Sequence, residues 1–595
     1  MKRFVHALTD RFRAISPRPS MCAGSPGPRL PLALLAFTVP FLLSGPIRTV
    51  TSLSLGLSLC LALVFCLPVA IALWPWLRRS AALLRTPGAW VSEGMALLLL
   101  GFAIGALYNR DFGGFMNLDG WDGGAHVYVR DKFASLEPSM YQGQVSCYAL
   151  TWWIERIFQT NAFRSFTMAF YLAVIAVAAI PVAIALSLTQ ACVSAEKVPR
   201  IAAELVTMAG MVGVLLAVVL PLMHYNQAAG YYAHMFGLVP LMAMWAGDAL
   251  IRSRALRIGF LLCTFVFLRF TYALNLADAA LTLAALMLVD RFPGRWRIAQ
   301  AALGLALLGA ALWIASDLRP IFRLWGGMQA FNVDLLLKAD GQLMVAMILY
   351  MVVSSWKLRP RLWLDSPLFR TLRFPLFFGL ATSVLFSIFR QGKGIQYYYV
   401  TKYQVWACIL LALAFVMVVS HLSLSLARRT SLRRPTVWLR AILVVGLLTL
   451  VPSLWLKTFA GYRMTLQERM PPHGPPYKYL RPLVDEESIV RIQSVLSRNN
   501  KIFGGYLTAF FPMFSFMNAT LGHSPSPGDR EFFFAPDTRP GRCVFWVTKE
   551  MDIYRLGPAQ NLDAIRNNVA ATGATCSEYS VPWKKTPQSL CFHCY

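Results

Sequence analysis

The amino-acid sequence predicts a polytopic α-helical membrane protein followed by a C-terminal extracytoplasmic α/β domain. Hydrophobic residues fill 57% of the 595 positions and charged residues only 14%, whereas about a quarter of the residues in soluble domains are charged. About thirteen segments approach the roughly 20 apolar residues that cross a bilayer. Lysine and arginine are also unevenly distributed between the connecting loops. This composition excludes an ordinary soluble enzyme, a disordered chain and a collagen-like repeat.

The predicted domain organisation follows from the positions of the apolar segments. Residues 1–30 are basic and proline-rich, without a small-residue cleavage site after a short apolar core, so we interpret them as a cytoplasmic arm and not a removed signal peptide. Residues 31–456 contain the spans and a large loop, 109–165, and residues 457–595 form the tail. The seventh and eighth segments are short and share one stretch, so they form either two spans or a re-entrant pair. The segments are 31–46, 50–75, 91–108, 166–189, 201–223, 231–250, 256–271, 275–289, 298–316, 341–356, 374–389, 404–426 and 438–456.

The charge of the loops predicts the orientation of the chain. With Arg257, Arg269 and Arg440 near segment ends counted with the adjoining loops, 27 of the 56 lysines and arginines belong to the N-terminal arm and the even-numbered loops, 13 to the odd-numbered loops, and 16 follow the last segment. Basic residues are in excess in cytoplasmic loops, so the arm and the even-numbered loops are predicted to be cytoplasmic. With an odd number of spans, the tail lies outside. No single long basic face remains, which argues against nucleic acid as a partner.

The tail has the composition of a small separate domain. A strand-like run at Cys543–Thr548 and helices at Asp485–Arg498 and around Asn561–Val569 predict an α/β fold. Its four cysteines would lie in an oxidising compartment, where disulfides persist. They allow three pairings, and the sequence leaves the choice open. A disulfide is favoured over a zinc or redox motif because the second half of a zinc site is missing. The four are Cys543, Cys576, Cys591 and Cys594.

The centres of the predicted spans contain almost no ionisable residues. Three acids, Glu93, Glu204 and Asp248, fall near predicted cytoplasmic ends, where we expect them to reach water. An ion-coupled transporter is expected to carry ionisable groups at mid-bilayer and paired Gly/Pro breaks in its helices. Neither pattern is present in the predicted spans, so the sequence disfavours a transporter.

Polar residues are concentrated in the loops predicted to be external. The first large one contains Asp119, Asp122 and His126 among three glycines. If the chain is helical from Gly120 onward, the three side chains share one face, and a carboxylate there can act as general base on an attacking hydroxyl. The alternative is a glycine-rich turn with solvated aspartates. A divalent-cation site on these residues is a weaker option, because three oxygen and nitrogen ligands from one loop do not complete a shell.

Two further external junctions carry polar and basic side chains. Aromatic residues at a membrane interface ordinarily form an anchoring belt, which accounts for most of the tyrosines here. The belt does not account for cations clustering on the side where basic residues are scarce. Such cations suit an anionic partner at headgroup level, such as a lipid-linked phosphate. The candidates are His224, Tyr231 and His234 at the first junction, Arg390, Lys393, Tyr398 and Lys402 at the second, and Arg269 at the outer end of the seventh span.

This layout resembles the GT-C superfamily of integral membrane glycosyltransferases, within which it is most similar to the bacterial arabinofuranosyltransferase-like and mannosyltransferase-like branch that uses polyprenyl-phosphate sugars. The resemblance covers about residues 31–456 by topology, and its motifs are Asp119-Gly-Trp-Asp122-Gly-Gly-Ala-His126 and the stretch Tyr397–Lys402. It implies an inverting transfer in which Asp119 or Asp122 activates the acceptor hydroxyl. The cations of the second junction would contact the donor phosphate. Family members carry the catalytic acid in the first external loop, whereas here the acidic loop follows the third span.

Three functional hypotheses follow. The first is a transferase that moves a sugar from a polyprenyl-phosphate donor to an envelope glycan or lipid-linked acceptor, on the outer face of the cytoplasmic membrane. No Walker or Rossmann motif is present in the sequence, so the donor would be exported on lipid and no nucleotide cofactor is expected. The second is a lipid-linked saccharide flippase or exporter, which would have a continuous charged cavity. The third is a non-enzymatic envelope assembly protein, which would leave the two aspartates facing solvent.

Overall fold

The computed structural model of the chain is almost entirely helical up to residue 427, within the residues that it describes. Among the described residues, five helices are long and apolar enough to cross a membrane: Pro31–Thr51, Met168–Thr189, Arg297–Ser316, Pro367–Ser387 and Gln404–Leu422. The protein is therefore a helical membrane protein, as the composition predicts. The described residues are 29–67, 144–160, 162–196, 232–251, 253–290, 297–324, 333–355, 366–390, 397–427, 542–548, 576–583 and 586–594, with isolated positions 94, 97, 101, 130, 133, 207, 210, 211, 214, 215 and 223.

We number the principal helices in chain order. A shorter apolar helix, Leu55–Leu67, follows α1, and one turn of 3-10 helix, Ala273–Asn275, joins α5 to α6. The helices are α1 Arg29–Thr51, α2 Val145–Phe158, α3 Ala162–Glu196, α4 Tyr232–Leu250, α5 Arg254–Thr271, α6 Leu276–Val289, α7 Arg297–Leu324, α8 Val333–Ser355, α9 Pro367–Arg390 and α10 Tyr397–Ala427.

Ten of the predicted spans overlap a numbered helix or the helix after α1. The sixth to eighth spans agree with α4, α5 and α6 to within two residues at each end. Helices α9 and α10 each begin seven residues before the predicted span, because their first turns carry polar residues that a hydropathy pattern assigns to the loop. The other predicted spans, 91–108, 201–223 and 438–456, lie wholly or mostly outside the described residues, and the total of thirteen stays a prediction.

The chain divides into two compact units. The first comprises Met1–Ala106, Leu172–Met223 and Ala233–Leu466, and the second comprises Leu107–Tyr171, His224–Tyr232 and Gln467–Tyr595. The first unit contains the helical bundle from α4 to α10. The second draws its three parts from stretches that the loop count predicts to be extracytoplasmic.

Neighbouring helices of the first unit alternate in direction. Arg257 near the start of α5 contacts Asp290 at the end of α6, and Gln300 near the start of α7 donates to the backbone carbonyl of Asp290. Helices α8 and α10 run parallel. In their second halves Tyr350 Oη lies 2.6 Å from His421 Nδ1, and in their first halves Asp340 lies beside Cys408. This alternation is the one that successive membrane spans require.

The seventh and eighth predicted spans form a helical hairpin. With a rise of about 1.5 Å per residue, α5 is about 27 Å long and α6 about 21 Å, against about 30 Å for the hydrocarbon core. The contact between Arg257 and Asp290 holds the start of α5 next to the end of α6. Whether the hairpin is two full spans or a re-entrant pair, the start of α5 and the end of α6 lie on the same side of the membrane. The predicted side of the following helices is therefore the same in both cases.

Buried and half-buried charges hold one end of the bundle together. We call it the Asp248 end and define it by Asp248, Arg257, Asp290, Arg370 and Arg373. Arg373 donates from Nε to Asp248 Oδ2 at 2.8 Å and from Nη1 to Asp290 Oδ1 at 2.7 Å. Arg257 contacts both carboxylates, and Arg370 donates from Nη2 to the Ile251 carbonyl at 2.7 Å. The expectation that Asp248 reaches water is wrong, since its side chain is fully buried. Burial is tolerated because each carboxylate has two guanidinium partners.

Apolar packing distinguishes inner from outer helices. Helix α10 packs against α8 and α9, and it is buried almost continuously from Gln404 to Val418. Helix α7 packs on α6 but exposes large apolar side chains, among them Leu305 and Trp313. Contiguous exposed apolar side chains of this size are typical of a face that contacts lipid.

Aromatic side chains form the described core of the second unit. Tyr148 in α2 is fully buried, with its ring 6.4 Å from that of Phe166 and 6.5 Å from that of Phe133. Arg130, a member of the large loop, is buried and pairs with Glu155 of α2. This part of the loop is therefore anchored on α2.

The tail contributes three antiparallel strands. They are β1 Arg542–Thr548, β2 Cys576–Trp583 and β3 Thr586–Cys594, in the order β1-β3-β2. Strand β1 takes in the run that the sequence predicts as strand-like. The helices predicted at Asp485–Arg498 and Asn561–Val569 lie outside the described residues, so the α/β character of the tail stays a prediction.

Candidate functional site

Only some of the predicted site residues fall within the described part of the chain. Arg390 is the last residue of α9, and Tyr398 and Lys402 lie in the first two turns of α10. Their side chains are outside the described set. His234 and Arg269 are described completely. The remaining candidates, Asp119, Asp122, His126, His224, Tyr231 and Lys393, lie outside the described residues.

His234 is buried in an aromatic cluster. Its ring stacks on that of Trp406, with centroids 4.8 Å apart and planes at 13°, and the Tyr272 ring meets it edge-on at 5.1 Å. Only 1% of His234 is exposed. We call this the His234 end of the bundle, defined by His234, Tyr272 and Trp406. It joins the first turn of α4, the tip of the α5–α6 hairpin and the third turn of α10.

Gly237 allows this cluster to close. A methyl group at Gly237 would lie 2.3 Å from Cη2 of Trp406 and 2.5 Å from Cβ of Tyr272. The indole is rigid and fully buried, so it has no room to withdraw. Glycine at this position, one turn after His234, therefore lets α4 approach the tryptophan face directly.

A second polar pair lies at the hairpin tip. Asn275 donates from Nδ2 to Asp278 Oδ2 at 2.8 Å, and both side chains are fully buried. Thr282 donates to the Asp278 backbone carbonyl one turn further along α6. Asp278 lies near the start of the eighth predicted span and not at its centre, so it does not contradict the prediction that the span centres hold almost no ionisable residues.

A third polar group lies on the other side of α10. Asp340 of α8 lies beside the Cys408 thiol of α10, and both are buried. Gln404 lies one turn before Cys408 on the same face of α10 and is fully buried. Neither its amide oxygen nor its amide nitrogen has a hydrogen-bond partner among the described residues, and the same is true of Asp340 Oδ1.

These unpaired atoms are energetically significant. A buried amide or carboxylate without a partner costs about 1–3 kcal/mol or more, so such groups usually bind water or a ligand. Asp340 and Gln404 are near the His234 end, because Cys408 lies only two residues beyond Trp406. Trp406 points about 200° around α10 from Gln404, so the aromatic cluster and the Asp340–Gln404 pair occupy opposite faces of one helix.

Sequence reasoning missed Asp278, Asp340 and Gln404. Asp340 immediately precedes the tenth predicted span, and Gln404 is the first residue of the twelfth. Polar residues are ordinary at the ends of spans, so neither residue is conspicuous in the sequence. The pattern that could have indicated them is an acid or amide within four residues of the start of an otherwise apolar stretch. It occurs at the stretches that form α6, α8 and α10. Arg269, in contrast, is exposed in the last turn of α5, and its placement on the outer side stays a prediction.

The described residues contain no group of three histidine, cysteine, aspartate or glutamate side chains that can hold a metal ion. The alternative cation site on Asp119, Asp122 and His126 lies outside them. What the described arrangement offers is hydrogen bonding in an apolar setting: an imidazole, two carboxylates and two amides between packed helices. Such groups can position a polar ligand or accept a proton.

No protein-family model and no curated protein matches this chain.

Proposed function

We propose that this protein is a membrane glycosyltransferase that moves a sugar from a polyprenyl-phosphate donor to an envelope glycan or lipid-linked acceptor. The observation that carries the proposal is the acidic motif, in which Asp119 and Asp122 lie within eight residues of His126 in a loop predicted to be extracytoplasmic. Helices long enough to cross a membrane provide the setting that a lipid-linked donor requires.

The proposed chemistry is an in-line displacement at the anomeric carbon. Asp122, or else Asp119, accepts the proton of the acceptor hydroxyl as it attacks. Arg390, Lys393 and Lys402 offset the negative charge on the departing phosphate. Two of these cations, Arg390 and Lys402, flank the short connection between α9 and α10, so one segment of chain brings them to the same end of the bundle.

The location that goes with this proposal is the cytoplasmic membrane, with the His234 end and the tail outside. The 27-to-13 distribution of basic residues between the two sets of loops supports it. A reporter that is active only outside the cytoplasm is expected to work when fused after Lys457 and to fail when fused after Arg370. The reverse pattern would place every proposed site residue on the wrong side.

A lipid-linked saccharide flippase or exporter is the second candidate. Asp340 favours it, because a buried acid among membrane helices ordinarily belongs to a transport or proton pathway. The two functions are separated by reconstituting the purified protein into vesicles with a radiolabelled polyprenyl-phosphate sugar and a glycan acceptor. A transferase produces labelled glycan from donor in the leaflet that its site faces. A flippase moves the donor between leaflets and leaves the sugar on its carrier.

A further inference from the structure

We propose that Cys576 and Cys594 form a disulfide bond that joins strands β2 and β3, and that Cys543 and Cys591 remain thiols. The proposal concerns a modification of the tail and does not depend on transferase activity. It rests on the predicted location of the tail outside the cytoplasm, where disulfides persist. The strand register decides among the three pairings that the sequence leaves open.

The register places these two cysteines directly opposite each other. In the antiparallel β2–β3 ladder, Cys576 is the Cα partner of Cys594. Opposed residues lie on the same face of the sheet, with Cα atoms about 4.5–5.5 Å apart. Disulfides usually join Cα atoms about 4.4–6.8 Å apart. The backbone therefore meets the distance requirement without moving either strand.

The other pairings with Cys576 or Cys594 fail on distance or on face. Cys543 and Cys576 lie on β1 and β2, the two outer strands, about 9.5 Å apart at two strand spacings. Cys591 and Cys594 are three residues apart on β3 and lie on opposite faces of the sheet. Because Cys576 opposes Cys594, Cys591 is on the opposite face from Cys576 as well. Cys594 opposes Arg542, so Cys543 and Cys594 also lie on opposite faces.

The remaining pair, Cys543 and Cys591, shares a face but is offset along the ladder. Cys543 opposes His593, and Cys591 opposes Trp546, with a register shift between them. A diagonal offset of two residues separates Cα atoms by about 7–8 Å, beyond the usual range for a disulfide. These two cysteines are therefore expected to stay reduced, next to His593.

Formation of the bond is an ordinary thiol–disulfide exchange. The Cys576 and Cys594 thiols lose two protons and two electrons, and a sulfur–sulfur bond forms between them. The electrons pass to the disulfide of an extracytoplasmic thiol oxidase, which becomes a dithiol. No metal or cofactor within this chain takes part.

Peptide mapping tests the assignment directly. Cells are quenched in acid, free thiols are alkylated, and the full-length protein is digested with trypsin without reductant. The expected product is Asn567–Lys584 linked to Thr586–Tyr595 through Cys576 and Cys594, with alkylated Cys591 and alkylated Cys543. Fragmentation of the linked peptides locates the bond; alkylated Cys576 and Cys594, or a link that includes Cys543 or Cys591, would overturn the proposal.

A parallel arm shows which premise has failed. The purified, reduced protein is equilibrated in a glutathione redox buffer and mapped in the same way. If the Cys576–Cys594 link forms only in that buffer, the register holds and the tail is not in an oxidising compartment. If it forms in neither sample, the register is wrong. As matched variants, Cys543→Ser with Cys591→Ser should keep the linked peptide, and Cys576→Ser should lose it.

Discussion

Arg373 donates from Nε to Oδ2 of Asp248 at 2.8 Å, joining the start of α9 to the end of α4 across 125 residues of sequence. Both side chains are almost completely excluded from solvent. The same guanidinium also donates to Asp290. One arginine thus holds together three helix ends of the bundle.

Removing this arginine is expected to destabilise the bundle strongly. Arg373→Ala leaves Asp248 buried with only the more distant Arg257, and loss of one partner of a buried pair costs about 3–5 kcal/mol. Unfolding of the detergent-solubilised protein, followed by tryptophan fluorescence, measures the difference. Arg297→Ala is the matched control, because Arg297 is exposed at the first residue of α7 and its loss should change the unfolding free energy by less than about 0.5 kcal/mol. Equal effects of the two substitutions would contradict the structural role of the Asp248 end.

The stability that Asp290 contributes to the Asp248 end depends on pH. Burial alone would raise the pKa of Asp290, but the Arg373 and Arg257 guanidiniums outweigh burial and lower that pKa below its ordinary value. A carboxyl with a lowered pKa in the folded state stabilises the protein above its unfolded pKa of about 4. This contribution is lost as the pH falls through the folded-state pKa.

The comparison of wild type with Asp290→Asn tests that dependence. The variant lacks the charge at every pH, so the stability difference should be largest near neutral pH and shrink below about pH 4. Unfolding midpoints measured from pH 3 to pH 7 give the two curves. A difference that stays constant over this range would show that the carboxylate charge of Asp290 does not contribute.

Gly237→Ala tests the close approach of α4 to the aromatic cluster. The added methyl group would overlap Trp406 and Tyr272, and overpacking of this kind costs about 1–3 kcal/mol. Gly259→Ala is the control, because nothing lies within 4 Å of a methyl group at Gly259 in α5. That change should be neutral or stabilise α5 by up to about 1 kcal/mol. An equally stable Gly237→Ala protein would show that α4 and α10 are not in this contact.

His234→Phe separates a packing role from a functional one. Phenylalanine keeps a flat ring to stack on Trp406 but removes both nitrogens. If His234 binds donor or acceptor, transfer should fall at least about tenfold while thermal stability stays close to that of the wild type. Unchanged transfer with His234→Phe, together with lost stability in His234→Ala, would identify the histidine as a core residue only.

The helices of the bundle were accessible from the sequence because their signal is local. A run of about 20 apolar residues is sufficient to predict a span, and α4, α5 and α6 agree with the predicted bounds. The environment of Asp248 was not accessible in this way. Its partners Arg257 and Arg373 are separated from it by 9 and 125 positions, and no local pattern indicates that they meet it in the interior.

The candidate site could be predicted only in part for the same reason. The acidic motif with Asp119 and Asp122 is a local pattern, and its structure lies outside the described residues. Asp340 and Gln404 are 64 positions apart, and each alone is an ordinary polar residue at the end of an apolar run. They become notable only when α8 and α10 pack in parallel and enclose both.

The most direct test of the proposed transferase is the turnover of Asp122→Asn in purified membranes supplied with a polyprenyl-phosphate sugar. Asparagine preserves the shape and hydrogen bonding of the side chain but is not a base, and a general base contributes about 10²–10⁴-fold in rate. We predict that Asp122→Asn, or failing that Asp119→Asn, loses transfer by this factor with unchanged expression and thermal stability. Lys402→Ala should instead weaken donor binding. Wild-type turnover in both aspartate variants would contradict the assignment of the loop as a catalytic site and, with it, the proposed transferase.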